Sequence, residues 1–347
     1  MKKKVLVAMS GGVDSSVAAY LLQKEGYDPI GVTMKLFCYA EKGKSPKSCC
    51  SLEAISDAKK VCEKLDIPHY VVDYEKEFEK EVIEDFISEY QKGRTPNPCI
   101  RCNQFIKFDY LLKKAQELGC DYLATGHYTR VSGGKLLKGI DLVKDQTYFL
   151  YRLKQVQLSK IKFPLGELTK KEVRDIAKEA DLKIAEKAES QEICFIDTNV
   201  PDFLQGKIEV KKGDILDKDG KKVGEHEGVP FYTIGQRKGL GGGFKTPMYV
   251  IDINVAENTV TVGEEKDLYK KELIFDEVSW IAGTSPVNKS LNAIIRYNME
   301  EKEVDSLEKL NGKYKVIFKE KVRAVTPGQA IVFYSSDECL GGGIITN

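Results

Sequence analysis

Residues 5–9 are five apolar positions in a row, and after a Ser-Gly-Gly turn the apolar positions of residues 17–24 recur at helical spacing. An unbroken short apolar run predicts a strand buried on both faces, and 3.6-residue spacing predicts a helix. The alternation continues with strands predicted at 29–36, 68–72 and 121–125, and helices at 52–65, 74–91 and 104–118. Strands alternating with helices build a doubly wound parallel sheet, so α/β is the expected fold class of the N-terminal half. Residues 37–51 read as a loop carrying Cys38, Cys49 and Cys50, and Pro96 and Pro98 make TPNPCIRCN a rigid break. Further helices are predicted at 147–153 and at 169–180, the second opened by Thr169 and Glu172 at capping-box spacing. Around 200–212 the period changes to short alternating strands (YVIDIN, TVTVG, KYKVIFK, AIVFY) broken by glycine turns. The expected organisation is an α/β domain over 1–199, a small β-rich domain over 200–268 and a β-barrel over 269–347.

A chain of 347 residues can bury more than one core. The basic start MKKK is followed by too short an apolar run for a signal peptide, and no stretch is apolar enough to span a membrane, so a cytoplasmic location is expected. Nine cysteines, an odd number, then favour reactive or ligating thiols over a disulfide framework. The net charge of +1 hides an uneven distribution, because residues 92–174 hold 17 Lys and Arg against 7 Asp and Glu, a net of +10, whereas residues 63–91 hold 3 against 10. Such a belt can neutralise nucleic-acid phosphates, or it can be a solvated face.

The stretch VLVAMSGGVDSS carries the first chemical signal. Two glycines at the end of a strand let the backbone turn onto a helix whose N-terminal N–H groups and positive pole can hold a phosphate. Capping by Ser and Asp is the bland reading of the same residues. The loop lacks the Gly-Lys-Ser/Thr ending of the P-loop, so the lysine that reaches β and γ phosphates is missing, and chemistry other than γ-phosphoryl transfer is indicated. Met34, at the carboxyl end of the second strand, and Gly126, at that of the fourth, stand where open α/β sheets gather ligands. His127 is expected to point into the same crevice. With only His69, His127 and His226 in the chain, a histidine cluster for metal or triad chemistry is not expected.

The S-G-G-x-D-S loop resembles the PP-loop of ATP pyrophosphatases. Taken in order, AMSGGVDSS, TPNPCIRCNQFIKFD, TGHYTR, KDQTYFL, ESQEICFI, GEHEGVPFYTIGQRKGL and AVTPGQAIVFY resemble the tRNA-specific 2-thiouridylases along nearly the whole chain. The resemblance implies an adenine-nucleotide hydrolase-like domain followed by a small central domain and a C-terminal β-barrel that embrace tRNA. It implies ATP-dependent 2-thiolation of the wobble uridine, in which the C2 oxygen is adenylated and then replaced by sulfur. ATP, Mg²⁺, tRNA and a persulfide-donating sulfur carrier or cysteine desulfurase are the implied partners. On the loop, Ala8, Met9, Ser10, Gly11, Gly12, Val13, Asp14 and Ser15 would hold pyrophosphate, with Asp14 acting through Mg²⁺, and Met34 and Gly126 would flank adenosine. Cys102 matches the family's nucleophile and Cys194 its persulfide carrier. Asn97, Pro98, His127, Lys144, Asp145, Gln146, Arg296, Tyr297 and Gln329 match positions that contact tRNA.

Cys99 stands where the family pattern commonly has Asp beside the target base. Cys99 and Cys102 then form a Cys-x-x-Cys spacing, and if Cys194 joined them three thiolates could hold a [4Fe–4S] cluster with one open iron. The residues alone also suit an inert buried thiol at Cys194, half of a structural metal site at Cys102, and core or surface thiols at Cys38, Cys62, Cys120 and Cys339. Two other functions use the same features. A PP-loop ligase acting on a small molecule would need the loop but neither thiol, and an ATP-dependent tRNA-binding module would need the belt but no turnover.

Overall fold

The computed structural model describes residues 2–37, 52–182, 184, 193–241, 243–286 and 290–347. The chain opens with β1 (Lys4–Ala8), α1 (Val13–Lys24), β2 (Asp28–Lys35), α2 (Leu52–Lys64), β3 (His69–Asp73) and β4 (Tyr122–Ala124). The hairpin β5 (Thr129–Ser132) and β6 (Lys135–Lys138) follows, then β7 (Ile161–Lys162). Five strands form a parallel sheet in the order β3-β2-β1-β4-β7. β1 lies at its centre, and Val5, Leu6 and Val7 are fully buried. Leu6 faces one core while Val5 and Val7 face the other, as the period of two in a strand requires. The strand order reverses between β1 and β4, so the crevice for a ligand opens there.

The helix predicted at 74–91 forms as Glu75–Phe78, a π-helical turn at Glu79–Ile83, and Glu84–Gln91. The one predicted at 104–118 is a π-helix over Cys102–Tyr110 continued by the α-helix Leu111–Glu117. Wide i→i+5 turns of this kind concentrate at functional sites. The segment predicted at 147–153 is a 3-10 turn, Thr147–Leu150, docked through the Tyr148 hydroxyl, which donates to the Ala330 carbonyl at 3.0 Å.

The central domain pairs β8 (Gly213–Asp217), β9 (Lys222–His226), β10 (Tyr249–Asn254) and β11 (Thr259–Gly263) in the order β10-β11-β8-β9. The barrel comprises β12 (Tyr269–Trp280), β13 (Asn292–Ile294), β14 (Lys302–Leu310), β15 (Lys313–Arg323), β16 (Ala330–Ser335) and β17 (Glu338–Ile345), closed by pairing of β12 with β17. Closure brings β17 backbone against its neighbours so tightly that a Cβ on Gly341 would lie 2.8 Å from the Trp280 Cα, and one on Gly342 3.1 Å from the Val332 Cα. The α/β fold with two β-rich domains, the last a barrel, is as the sequence predicts. What it did not predict is that β6 pairs with β17, Leu137 against Glu338 and Leu136 against Cys339. The N-terminal hairpin thereby extends the barrel sheet.

Candidate active site

At the carboxyl end of β1 the chain turns through Gly11, whose φ of +68° suits glycine and whose absent Cβ would sit 2.8 Å from the Ala54 Cα in α2. Gly12 then starts α1, and among the described residues no side chain caps that helix. The hydroxyls of Ser15 and Ser16 donate backward to the Gly12 carbonyl at 3.2 and 2.9 Å, and the Ser10 N–H donates to Ser15 Oγ at 3.1 Å. The positive helix end is therefore left for an anion, which favours the phosphate cradle over capping.

Asp14 accepts Lys170 Nζ at 2.7 and 2.8 Å on its two oxygens and the Tyr128 hydroxyl at 2.7 Å. The pair is largely sheltered, with Lys170 12% and Asp14 31% exposed. Lys170 is the first residue of the helix Lys170–Glu179, whose predicted Thr169–Glu172 capping box is formed. A lysine absent from the loop thus reaches it from 156 residues away. Gly126 follows β4, and a Cβ there would lie 2.8 Å from both Asp14 C and Ser15 N. Its bareness lets the first turn of α1 approach. Met34 is half-buried at the end of β2 and packs against both the sheet core and an aromatic cluster around Phe78 and Phe86. Magnesium is usually held by one or two carboxylates plus substrate phosphates, and Asp14 beside the open helix end suits that donor set.

The second half of the site is the stretch 94–104. The Thr95 N–H donates to the Pro327 carbonyl at 2.8 Å, Gln329 Nε2 donates to the Thr95 carbonyl at 2.7 Å, and the Thr95 and Thr233 hydroxyls lie 3.1 Å apart. One residue so touches all three domains. Asn97 caps the short helix Pro98–Arg101, accepting from the Cys99 N–H at 3.1 Å. Cys102 and Cys194, both half-buried, pack against one apolar cluster that includes Leu36, Phe78, Phe86 and Phe195. Cys62, Cys120 and Cys339 are buried elsewhere, and burial pushes the Cys62 thiol up to about 12. Cys38, Cys49 and Cys50 lie outside the described residues.

The iron–sulfur expectation is corrected. Among the described residues no three His, Cys, Asp or Glu side chains are placed to hold a metal ion, so Cys99, Cys102 and Cys194 do not assemble a ligand set. The physical reason is that Cys99 is exposed while Cys102 and Cys194 face the apolar cluster.

The remaining positions carried over from the resemblance divide into buried supports and exposed groups. His127 is buried between Phe108 and Phe163, ring centroids 5.9 and 6.0 Å away, and hydrogen-bonds Thr125 at 2.6 Å. Burial, with Lys107 nearby, holds it well below the ordinary histidine value. Asp145 accepts from the Gly139 N–H at 3.0 Å and the Thr147 hydroxyl at 2.6 Å, and burial pushes its carboxyl up. Gln146 accepts from the Tyr128 N–H at 3.0 Å, and Lys144 is half-buried beside Asp141. Arg296 is exposed, and Tyr297 packs on Phe149 with ring centroids 4.3 Å apart.

Sequence reading missed Lys170, Tyr128, Thr95 and an arginine–glutamate network. Arg101 Nη2 meets Asp85 Oδ1 at 3.2 Å and Glu277 Oε2 at 2.8 Å, and Arg152 Nη2 meets Glu277 Oε2 at 3.0 Å. Burial pushes Glu277 up, but Arg101 and Arg152 outweigh it and hold the carboxyl below the usual glutamate value. Tyr128 stood in plain view within TGHYTR; the others join positions too distant for spacing to reveal.

Residues 3–198 match the family described as tRNA methyl transferase HUP domain, 201–264 the tRNA methyl transferase PRC-barrel domain, and 270–345 the Aminomethyltransferase beta-barrel domain. The chain is 48% identical over 357 residues to the tRNA-specific 2-thiouridylase MnmA of Geotalea uraniireducens, covering 99% of this chain and 95% of that one. It is 47% identical over 358 residues to that of Clostridium beijerinckii, covering 99% of each. To that of Carboxydothermus hydrogenoformans it is 48% identical over 356 residues, covering 99% of this chain and 98% of the relative. With near-half identity along almost its full length and the matching order of three domains, the chain belongs to the tRNA-specific 2-thiouridylase family.

Proposed function

We propose that the protein replaces the C2 oxygen of the wobble uridine (U34) of tRNA with sulfur, consuming ATP and releasing AMP and pyrophosphate. The uridine oxygen is a poor leaving group, so it attacks the α-phosphorus of ATP and pyrophosphate departs. The terminal sulfur of a Cys194 persulfide then attacks C2, and AMP leaves with the oxygen. Cys102 thiolate attacks Cys194 Sγ, which frees the thiolated base and closes a Cys102–Cys194 disulfide that an external thiol reductant reopens.

Residues 8–15 hold the pyrophosphate at the α1 N-terminus, Asp14 would hold Mg²⁺, and Met34 and Gly126 lie beside adenosine. Magnesium would screen phosphate charge there. Lys170, ion-paired with Asp14, supplies the cation that the loop itself lacks. Asn97, Pro98 and Cys99 face the target base, and Lys144, Arg296 and Tyr297 grip tRNA, with His127, Asp145, Gln146 and Gln329 supporting those surfaces. The working units are 1–199, 200–268 and 269–347, the sulfur donor is a persulfide carrier or cysteine desulfurase, and the reaction takes place in the cytoplasm.

The observation that carries this reading is the packing of Cys102 and Cys194 on one cluster that also touches Met34 at the end of β2. Two thiols beside the nucleotide crevice have no use in a small-molecule ligase or in a passive tRNA binder. The test is incubation with ATP, a persulfide donor and tRNA, followed by nucleoside analysis. Cys102→Ser and Cys194→Ser should each abolish thiolation while AMP formation persists, because adenylation needs neither thiol; full thiolation by either variant refutes the assignment.

A further inference from the structure

The segment that carries Cys102 is held from outside its own domain. Arg101, immediately before it, is 14% exposed and bridges Asp85 of the helix Glu84–Gln91 to Glu277 of β12. Arg152 grips the same glutamate twice, through the carbonyl at 2.8 Å and the carboxylate at 3.0 Å, and its Nη1 donates to Gln104 Oε1 at 3.2 Å. Residues 101 and 104 are thus tied, on either side of Cys102, to one barrel side chain. Glu277 sits in left-handed backbone, φ +46°, where the register of β12 against β17 shifts between Asp276 and Ser279. A non-glycine residue there is costly and persists when its surroundings fix it, and such outliers cluster at functional positions. The other end of the stretch is held by the barrel as well, through Pro327 and Gln329 on Thr95.

We propose that Glu277 is a positioning residue for sulfur transfer: through Arg101 and Arg152 it sets the start of the π-helix Cys102–Tyr110, so that the seating of the barrel aims the Cys102 sulfur. This rests on the sulfur-transfer role given to Cys102 above. A thiolate must meet its target sulfur in line, and a misplacement of about 1 Å can cost roughly 100-fold in rate. Adenylation uses the loop after β1 and does not depend on that aim.

The experiment compares wild type, Glu277→Gln, Glu277→Ala and, as a control, Lys135→Ala, which breaks a different ion pair between the N-terminal hairpin and β17, Lys135 to Glu338 at 3.0 Å. Single-turnover thiolation, AMP formation, KM for tRNA and thermal midpoint are measured for each. Glu277→Ala should lower the thiolation rate about ten-fold or more, with AMP formation and KM unchanged. Glu277→Gln, which keeps the hydrogen-bonding shape but loses the charge, should fall between. The proposal is overturned if Glu277→Ala thiolates at the wild-type rate, if AMP formation falls in step with thiolation and thermal midpoint, or if Lys135→Ala has the same effect. Wild-type protein that forms no thiolated nucleoside fails the functional reading itself, a distinct result.

Discussion

Gly126→Ala tests how closely the nucleotide loop is built. The new Cβ would stand 2.8 Å from Asp14 C and Ser15 N and 3.0 Å from Asp14 Cβ, about 0.6 Å inside the 3.4 Å at which ordinary contact begins. The first two are main-chain atoms of the first turn of α1 and the Cβ is fixed to that main chain, so no side chain can rotate out of the way. Gly126 has no left-handed φ, so the cost is steric alone. Overpacking of this kind costs about 1–3 kcal/mol. The helix end must retreat by roughly half an ångström, and a shift of that size at a reacting site is worth on the order of ten-fold in rate. Pyrophosphate release in the presence of tRNA, measured against ATP concentration, should show a raised KM for ATP or a lowered kcat together with the lower stability. Gly119→Ala is the contrast, because its φ of +70° carries a backbone cost of about 1 kcal/mol while nothing lies within 4 Å of the added carbon. It should lower stability without touching ATP kinetics. Wild-type stability and ATP kinetics in Gly126→Ala would refute the reasoning.

Lys170→Met should raise the KM for ATP and cost about 1–3 kcal/mol, between the values for exposed and buried pairs, since Asp14 keeps the Tyr128 hydroxyl; unchanged ATP dependence would remove Lys170 from the site. Burial holds His69, His127 and His226 below the ordinary 6.5, so below that pH the unfolded chain binds protons that the fold refuses. Stability should be full above about pH 6.5 and fall toward pH 5.5, with a shallower fall in His127→Gln; denaturation across that window checks it. Among the described residues at least nine of the 17 cations in residues 92–174 form ion pairs within the chain. At most eight of these then remain for phosphates, so the belt's share of the log–log slope of tRNA affinity against salt, read as the change when its other cations are replaced, should be no steeper than about −7; a larger share would mean that internal pairs open on binding.

The strand, loop and helix at residues 4–24 were legible because two hydrophobic periods meet at a glycine pair, and local chemistry decides such a turn. The Thr169–Glu172 cap was legible for the same reason, being complete within four residues. The π-turns were not, since an i→i+5 ladder changes apolar spacing by only one residue from an ordinary helix. The hairpin β5–β6 did carry a signal, Ser132-Gly133-Gly134-Lys135, with both glycines at positive φ, yet nothing local says that its partner is β17. Composition showed the basic belt but could not tell a cation facing solvent from Arg101 or Lys170, each spent on a carboxylate far along the chain. The expected cluster failed similarly: Cys-x-x-Cys fixes spacing along a helix and says nothing of the exposure that separates Cys99 from Cys102 and Cys194.

Because β6 hydrogen-bonds to β17, one sheet runs from the hairpin that follows β4 around the barrel. The apolar core shares the join, with Leu136 and Tyr148 packed among Ala330, Val332 and Tyr334. Melting the barrel would strip the hairpin of its edge partner and open that core to water, so the N-terminal domain and the barrel should unfold in a single cooperative transition. The central sheet pairs no strand with either neighbour among the described residues. The central domain is tied to them by packed side chains instead, Leu204 and Ile208 in one cluster with Phe78 and Phe86, and Ala324 in another with Val260 and Val262. Calorimetry should therefore show it melting with the other two domains and not as a separate transition.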